Sequence, residues 1–362
     1  MFDIAARIDR LRRALSGKEI DALLVSQPDN RRYLSGFSGS AGFLIVSDRE
    51  AHLLSDFRYM TQGPLQAPEY EFVRIERGFP RAGLRPILGS LDGRRLGFEA
   101  GHMSVASHQA WQEGIREAGL KLELVATENI VEELRALKDE QELALIAEAV
   151  RIVDSAFGRL RESIKPGMTE RQVARRLEDF MRDEGADGPS FATIIASGVN
   201  AAKPHHGISD KEIAAGEPIV CDFGALYQGY CSDMTRTVCI GPADSKFDEI
   251  YGLVLSAQLH AEEQIQPGIE ARAGDQYARD VIAQAGYGDY FGHGLGHGIG
   301  LEVHEAPTMG PSGTLTLTPS MTVTVEPGVY LPDWGGVRIE DLCFVRQNGL
   351  EVVNQATKDP RI

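Results

Sequence analysis

Four carboxylates and one imidazole in the second half of the chain have the residue types and the spacing of a metal site. They are Asp222, Asp233, His297, Glu326 and Glu340. Four carboxylates that converge would repel one another strongly unless cations neutralised them. Oxygen and imidazole ligands in this number suit a pair of hard or borderline divalent ions. The set therefore predicts a dinuclear metal site of the kind that metallohydrolases use.

The two aspartates are predicted to lie on one β-hairpin, formed by β-rich runs over 217–223 and 230–239. If the turn is centred on residues 227 and 228, Asp222 and Asp233 face each other directly. If the turn lies one step later, they become diagonal neighbours on the same face of the hairpin. Both registers bring the two side chains together.

The two glutamates are predicted to lie on a second hairpin. Glu326 and Glu340 are symmetric about Asp333, which lies in a turn-rich segment between two β-rich runs. A solvent-facing position on a strand edge would be the ordinary alternative for a single acid. It is a poor interpretation here, because both glutamates interrupt runs rich in Val, Ile and Thr, where an unpaired carboxylate would be buried.

Composition excludes several classes of partner. The chain has 362 residues, with 53 acidic against 37 basic side chains and a formal charge of −16. Such a charge disfavours nucleic acid and anionic membranes, whose phosphates it would repel. No apolar run approaches the ~18 residues of a membrane span. We therefore expect neither nucleic acid nor a membrane as a partner.

The beginning of the chain and the cysteines predict a cytoplasmic protein. The first residues form an amphipathic pattern with arginines and lack the apolar stretch of a signal peptide. The four cysteines lie in predicted strands and include no Cys-x-x-Cys pair, which is typical of small, reduced core residues.

Residues 1–125 are predicted to form a smaller α/β domain, because short apolar strands alternate with helical stretches. Strands are expected over 20–26, 42–46, 51–55, 71–75, 96–99 and 122–125, and helices over 80–91 and 104–118. No phosphate-binding loop follows any of these strands, so this domain is not predicted to bind a nucleotide.

Residues 126–362 are predicted to form a second, α+β domain that contains an internal repeat. A long core-facing helix begins at an Asp139–Glu142 capping pair and ends before Pro166-Gly167. The segment 164–168 (IKPGM) recurs as 265–269 (IQPGI), and in each half a helix, a Pro-Gly pair, a second helix and an acid-bearing hairpin follow in that order. A pseudo-two-fold domain would place the two pairs of acids face to face.

These residues resemble the pita-bread metallopeptidases, specifically the branch of Xaa-Pro aminopeptidases and prolidases. The similarity covers nearly the whole chain, and it includes residues 33–42 (YLSGFSGSAG) and 56–59 (DFRY) in the first domain. Methionine aminopeptidases share the catalytic half but usually lack such a first domain. Creatinase-like members share the fold without this ligand set.

The resemblance implies roles for the five ligands. Glu340 and Asp233 would bridge two ions, Asp222 would complete one ligand shell, and His297 with Glu326 would complete the other. A bridging hydroxide would be the nucleophile, and Glu326 would shuttle its proton to the leaving nitrogen. Manganese is expected first, with cobalt and zinc as alternatives that the same oxygen-rich set would accept.

The resemblance also implies a second group of side chains that hold the substrate. His205, His293 and His304 match the substrate-side histidines of this branch, whereas His206 is left as a neighbour without a role. Arg338 lies two residues before Glu340 and therefore shares its face, where it would neutralise carboxylates. Tyr330 is expected to line the pocket. The glycines around His297 are interpreted as sites of close backbone packing, because no clear helix follows them as a dinucleotide loop requires.

The length of the substrate depends on one position. Prolidases that resemble this chain tend to carry an arginine four residues after the His304 equivalent, where it binds the proline carboxylate, and this chain has Thr308 there. The missing bidentate partner favours longer Xaa-Pro-Yaa peptides. Arg58 or a residue of a neighbouring subunit could substitute for it.

The sequence therefore predicts a dinuclear Xaa-Pro aminopeptidase that removes the first residue of peptides with proline second. The alternatives are an Xaa-Pro dipeptidase (prolidase) and, from a different class, a non-catalytic binding module on the same fold. A homodimer is expected from the association common in this family.

Overall fold

The computed structural model describes residues 2–76, 78–81 and 83–362. The chain divides into two compact units, Met1–Arg135 and Ala136–Ile362. Among the described residues, no helix combines the length and the apolar composition that crossing a membrane would require. All four cysteines lie in the described part, where each is buried and free of disulfide bonds.

The first unit is built on a mixed six-stranded sheet. Its strands are β1 (Ala22–Val25), β2 (Phe43–Ser47), β3 (Ala51–Ser55), β4 (Glu71–Arg74), β5 (Arg95–Glu99) and β6 (Glu123–Thr127). Its helices are α1 (Ile4–Ser16), α2 (Pro28–Ser35), α3 (Gln62–Gln66), α4 (Arg85–Leu88), α5 (Val105–Glu117) and α6 (Ile130–Arg135). The strand order is β4-β3-β2-β1-β5-β6. The predicted α/β class of this unit is confirmed, because apolar residues of the sheet and of α5, such as Trp111, form a shared core.

The helix expected over 80–91 is much shorter in the structure. Only Arg85–Leu88 is α-helical, and a single 3-10 turn follows at Gly89–Leu91. Gly83 and Gly93 adopt positive φ angles of 89° and 78°, which end regular helix on both sides. Residue 82, inside the expected span, lies outside the described residues.

The first unit extends past residue 125, where the sequence suggested a boundary. That position falls inside β6, and α6 still belongs to the first unit. The carbonyl of Leu134 accepts hydrogen bonds from Arg10 Nη2 (2.9 Å) and from Tyr33 Oη (3.2 Å). These contacts attach α6 to α1 and α2.

The second unit contains α7 (Glu140–Ser163), α8 (Glu170–Asp183), α9 (Ser245–Gln264) and α10 (Ala271–Gln284). Its strands are β7 (Gly188–Pro189), β8 (Ile194–Ser197), β9 (Pro218–Phe223), β10 (Ala225–Tyr227), β11 (Tyr230–Cys231), β12 (Met234–Cys239), β13 (Gly296–Gly298), β14 (Glu305–Met309), β15 (Thr322–Val325), β16 (Gly328–Leu331), β17 (Gly335–Arg338), β18 (Asp341–Arg346) and β19 (Gly349–Val352). Helix α7 begins with the predicted capping box between Asp139 and Glu142. The mixture of helix and sheet confirms the predicted α+β class.

The internal repeat is visible in the backbone hydrogen bonds of this unit. After α7, the amide of Gly167 donates to Ile213 O, and the amide of Ile213 donates back to Met168 O. After α9, Gly268 donates to Leu317 O and Leu317 donates back to Ile269 O. The two Pro-Gly segments, 101 residues apart in the sequence, therefore make the same contact with a later segment of their own half.

Candidate metal centre

The first acid-bearing hairpin adopts the later of the two predicted registers. Asp222 on β9 pairs with Thr235 on β12, so that Asp233 lies diagonally from Asp222 on the same face. The turn residues are Gln228 and Gly229, with φ angles of 47° and 83°. Positive φ at both positions defines the type I′ turn that two-residue hairpin loops favour. Turn chemistry therefore selects the register and, with it, the spacing of the two carboxylates.

The second acid-bearing hairpin is symmetric about Asp333, as predicted. Strands β16 and β17 and strands β15 and β18 pair in one common register, which places Glu326 opposite Glu340. The ladder is interrupted at this point, where Pro327 has no amide proton to donate. The interruption frees the backbone amides of both glutamates for other partners.

Those amides connect the separate segments of the centre. The amide of Glu340 donates to Thr235 O (3.0 Å) on the first hairpin, and the amide of Glu326 donates to Leu295 O (2.8 Å) just before β13. His297 lies on β13, where its own amide donates to Thr324 Oγ1 (3.0 Å). The two hairpins and the histidine strand are thus joined through the backbone beside the ligands themselves.

The glycines on either side of His297 permit this close approach. A Cβ atom on Gly296 would lie 2.1 Å from the carbonyl oxygen of Thr324, and one on Gly298 would lie 2.2 Å from that of Ala306. The expectation of close backbone packing around His297 is therefore confirmed.

The ligand atoms converge as the residue types suggested. His297 Nε2 lies 3.3 Å from Glu326 Oε1 and 3.6 Å from Asp233 Oδ2. One ligand atom each from Asp233, His297 and Glu340 lies within 4.8 Å of the others. Asp233 Oδ1 and Glu340 Oε1 are buried and find no hydrogen-bond partner in the described part of the chain. Buried carboxylate oxygens without donors, beside an imidazole, fit divalent cations.

Asp222, the remaining acid, is held by a cation of the protein. Arg338 Nη2 lies 2.5 Å from Asp222 Oδ2, and Arg338 Nη1 donates to the hydroxyl of Tyr330 (2.7 Å). That hydroxyl also lies 2.9 Å from His293 Nε2. Burial, opposed by the nearby guanidinium, raises the pKa of Tyr330 to about 12, so the phenol stays protonated. Arg338, Tyr330 and His293 thus form one hydrogen-bonded chain that begins at a carboxylate of the centre.

Burial sets the protonation of the carboxylates in the metal-free centre. It raises the pKa of Asp233 and the pKa of Glu340 well above their ordinary values, and neighbouring carboxylates add to both shifts. Burial acts on Glu326 in the same direction, but the hydrogen bond and positive charge of His297 outweigh it and bring the pKa of Glu326 to about 2. Glu326 is therefore ionised and can accept a proton.

The stability of the metal-free protein is expected to fall as the pH rises above ~4. Asp233 and Glu340 have folded-state pKa values above their ordinary 3.8 and 4.5, so the folded protein binds more protons than the unfolded chain. Their contribution is fully present below those ordinary values and is lost as the pH rises through the folded pKa values. Thermal unfolding of chelator-treated protein between about pH 5 and pH 8 measures this loss. The stability of metal-loaded protein should depend less on pH. An equal dependence with and without metal would contradict the assignment of Asp233 and Glu340 as metal ligands.

The three histidines that were expected to hold the substrate, His205, His293 and His304, lie on loops of the second unit. His205 and His304 are exposed, and the ring of His304 contacts that of His297 at a centroid distance of 4.3 Å. Burial lowers the pKa of His293 and the pKa of His304, and the positive charge of His205 adds to both shifts.

Arg58 belongs to the first unit, where it lies in a 3-10 turn at Phe57–Tyr59. Its guanidinium forms two hydrogen bonds to the carboxylate of Asp56, of 2.9 Å and 2.7 Å, and its side chain is half exposed. Its role toward a substrate stays a prediction.

Two threonines of the centre were missed by sequence analysis. Thr235 Oγ1 donates to Glu340 Oε2 (2.7 Å) and accepts from Arg338 Nε (3.1 Å). Thr324 Oγ1 accepts the His297 amide and donates to Glu326 Oε1 (3.2 Å). Each lies two residues from a ligand on the same strand face, and this spacing is the signal that could have identified it.

Comparison with known proteins identifies the family of each unit. Residues 144–347 match Metallopeptidase family M24, and residues 7–137 match the Creatinase/Prolidase N-terminal domain. An Xaa-Pro dipeptidase of Pyrococcus horikoshii is 37% identical over 98% of this chain and 98% of its own.

Two solved structures extend the agreement to three dimensions. An Xaa-Pro dipeptidase from Bacillus anthracis shares 41% identity with a TM-score of 0.95, covering 99% of this chain and 100% of that one. An X-Pro aminopeptidase from Thermotoga maritima shares 33% identity with a TM-score of 0.88, covering 98% and 99% of the two chains. The chain therefore belongs to metallopeptidase family M24, with the pita-bread fold and a creatinase-like N-terminal domain.

Proposed function

We propose that this protein is a metal-dependent Xaa-Pro dipeptidase, which hydrolyses the bond between an N-terminal residue and a C-terminal proline. The observation that carries the proposal is the pair of buried, unpartnered carboxylate oxygens of Asp233 and Glu340 beside His297. The dipeptidase names of the relatives from Pyrococcus and Bacillus support the dipeptide substrate over the longer peptides that Thr308 favoured.

Two divalent ions, with manganese first and cobalt or zinc as alternatives, would be held by the five ligands identified above. Asp222, Asp233, Glu326 and Glu340 would supply carboxylate oxygens to these ions, and His297 would supply an imidazole nitrogen. When bound, such ions supply Lewis-acid chemistry, because they acidify water and polarise the scissile carbonyl.

Glu326 is the group of the chain that would move the proton. Its carboxylate is ionised in the metal-free centre and is half-buried, with Oε1 close to His297 Nε2. It would take the proton of the attacking water and deliver it to the prolyl nitrogen, which must be protonated to leave.

The neighbouring donors would orient the substrate. The buried Tyr330 hydroxyl and the His293 imidazole form a rigid pair anchored by Arg338, while the exposed His205 and His304 can reach a peptide. These groups would donate hydrogen bonds to the peptide carbonyl and to the oxygen that gains charge during attack.

The second candidate function is an Xaa-Pro aminopeptidase, and one observation favours it. Thr308 pairs directly with His297 across β13 and β14, and its side chain is exposed. A threonine there supplies no guanidinium for the carboxylate of a C-terminal proline. A dipeptide therefore gains no ion pair at this position that a longer peptide would lack.

The deciding experiment offers Ala-Pro and Ala-Pro-Ala to the protein after reconstitution with manganese, cobalt or zinc. Faster cleavage of Ala-Pro is expected. Faster cleavage of Ala-Pro-Ala would instead establish the aminopeptidase. Metal binding without cleavage of either peptide would favour the non-catalytic binding module.

Replacing Thr308 by arginine is expected to shift selectivity further toward dipeptides. A new charge-assisted hydrogen bond to the substrate carboxylate should raise kcat/KM for Ala-Pro relative to Ala-Pro-Ala by about 10-fold. The matched control is Thr308→Lys, which adds the charge without the bidentate geometry. If Thr308→Arg left the ratio of the kcat/KM values for Ala-Pro and Ala-Pro-Ala unchanged, this position would not face the substrate carboxylate.

A homodimer and a cytoplasmic location are also proposed. Light scattering of the purified protein tests the first, and cell fractionation tests the second.

A further inference from the structure

A buried carboxylate outside the metal centre holds a loop of the second unit. Glu170, the first residue of α8, is fully buried and is not among the proposed ligands. Its Oε1 accepts hydrogen bonds from the amide (2.8 Å) and hydroxyl (3.0 Å) of Ser197 and from Asn200 Nδ2 (3.1 Å). Its Oε2 accepts from His206 Nε2 (2.8 Å) and from the Ser209 hydroxyl (2.6 Å). One side chain therefore binds both ends of the segment 197–209.

His206 is the contact of Glu170 that lies next to His205 in this segment. Its ring is almost entirely buried against Glu170, whereas the adjacent His205 is exposed. The pKa of Glu170 is about 2: burial would raise it, but hydrogen bonds from Ser209, Asn200, Ser197 and His206 outweigh that effect. The carboxylate is therefore ionised and can only accept, so His206 Nε2 must be the donor.

The opposite side of the segment packs against the strand that leads to the metal centre. Pro204 O accepts a hydrogen bond from Arg338 Nη1 (3.3 Å). A Cβ on Gly336 would lie 2.2 Å from Ala201 O, so the loop backbone lies directly on β17. The loop is thus held between Glu170 on one side and Arg338 with its strand on the other, and His205 projects from it.

The internal repeat shows that the fold itself does not require this carboxylate. Glu170 donates its amide to Lys211 O, and at the repeat offset of 101 residues Ala271 donates its amide to Leu315 O. Both residues are fully buried, and in the second half an alanine fills the position. A charged side chain that accepts six hydrogen bonds, at a place where alanine suffices, calls for a reason specific to the first half.

We propose that Glu170 and His206 are positioning residues that hold His205 in place to bind the peptide substrate. The proposal rests on the substrate role of His205 within the proposed function. Glu170 and His206 do not themselves touch the substrate. They restrict the loop so that the exposed imidazole of His205 keeps its position next to Pro204, whose carbonyl is bound by Arg338 of the centre.

The test is a double-mutant cycle between His206→Phe, which keeps a ring but loses the donor, and His205→Ala. Alone, His206→Phe should lower kcat/KM for Ala-Pro by about 10- to 100-fold, because displacing a binding group by 1 Å has effects of that size. Bound metal should stay close to that of the parent, whereas the thermal midpoint should fall, because the buried Glu170 carboxylate loses one of its donors. In the His205→Ala background the same substitution should change kcat/KM by less than about 2-fold. Equal effects in both backgrounds would mean that His206 only supports the fold, and would overturn the proposal.

Glu170→Gln supplies the second variant, and Glu212→Gln, an exposed acid close by in the sequence, is its matched control. The Glu170 variant should show the same non-additivity with His205→Ala, and the control should leave activity unchanged.

A crystal structure of Glu170→Gln gives a readout independent of activity. Residues 203–207 are expected to shift or to lose a single conformation, and an unaltered His205 would refute the positioning role. Parent protein that binds metal but cleaves neither peptide would refute the proposed function instead, and the crystallographic result would still decide whether Glu170 positions His205.

Discussion

Glu326→Gln is expected to lower kcat for Ala-Pro by at least about 10³-fold while the protein still binds metal. General acid–base groups contribute ~10²–10⁴-fold, and Glu326 is proposed to carry the proton from water to the prolyl nitrogen. The amide keeps an oxygen that can remain a ligand but cannot accept and return a proton. The other proposed ligands, Asp222, Asp233 and Glu340, are unchanged, so at least one ion should stay bound.

The measurement combines steady-state kinetics with metal content by elemental analysis. Glu351→Gln is the matched control, because Glu351 is an exposed acid paired with Arg346 away from the centre. It should leave both quantities at the parent level. A Glu326→Gln variant that keeps substantial activity would remove Glu326 from the proton pathway. One that loses all metal would show that its main role is that of a ligand.

Asp233→Asn is expected to have opposite effects on the metal-free and metal-treated protein. In the metal-free protein Asp233 is buried, its Oδ1 has no partner in the described part of the chain, and burial raises its pKa well above the ordinary value. Removing an unsatisfied, ionisable group of this kind should raise the free energy of unfolding by about 1–3 kcal/mol. The midpoint of thermal unfolding should rise by roughly 2–4 °C for each kcal/mol in a protein of this size. The same substitution removes a proposed metal ligand, so added manganese should no longer raise the midpoint.

Thermal unfolding with and without metal distinguishes these two effects. Asp183→Asn, on the exposed end of α8 and paired with Arg159, is the control, and it should leave the metal-induced shift intact. If Asp233→Asn lowered the midpoint of chelator-treated protein, the carboxylate would be stabilising the fold without metal. If the metal-induced shift persisted, Asp233 would not be a ligand.

Some of the site was predictable because it depends on local geometry. A short turn keeps the two strands of a hairpin together, so either predicted turn position places Asp222 and Asp233 on one face, and the observed turn at Gln228 and Gly229 pairs Asp222 with Thr235. The symmetry of Glu326 and Glu340 about Asp333 follows from the same rule. In both cases the relevant residues lie within about a dozen positions of each other along the chain.

Other features of the site could not be predicted, because they depend on contacts between segments that are distant in the sequence. The amide of Glu340 reaches Thr235 O, and Thr235 Oγ1 supports the glutamate side chain, across a separation of 105 residues. No period or motif in the sequence predicts such a pair. The choice between the two hairpin registers also stayed open, since either turn position agreed with the pattern of apolar residues.

By itself, the sequence predicted the five proposed ligand residues, and it determined the grouping of the four acids into two hairpins and the duplicated order of helices around them. These features follow from residue type and local periodicity, which act over a few positions. Only the tertiary structure decided that Asp233 and Glu340 retain unpartnered oxygens, that Arg338 holds Asp222, and that His206 faces Glu170 while His205 is exposed. Burial and hydrogen-bond satisfaction depend on how segments that are distant in sequence, 36 residues apart for Glu170 with His206 and 116 for Asp222 with Arg338, pack together, and that packing is a property of the folded chain.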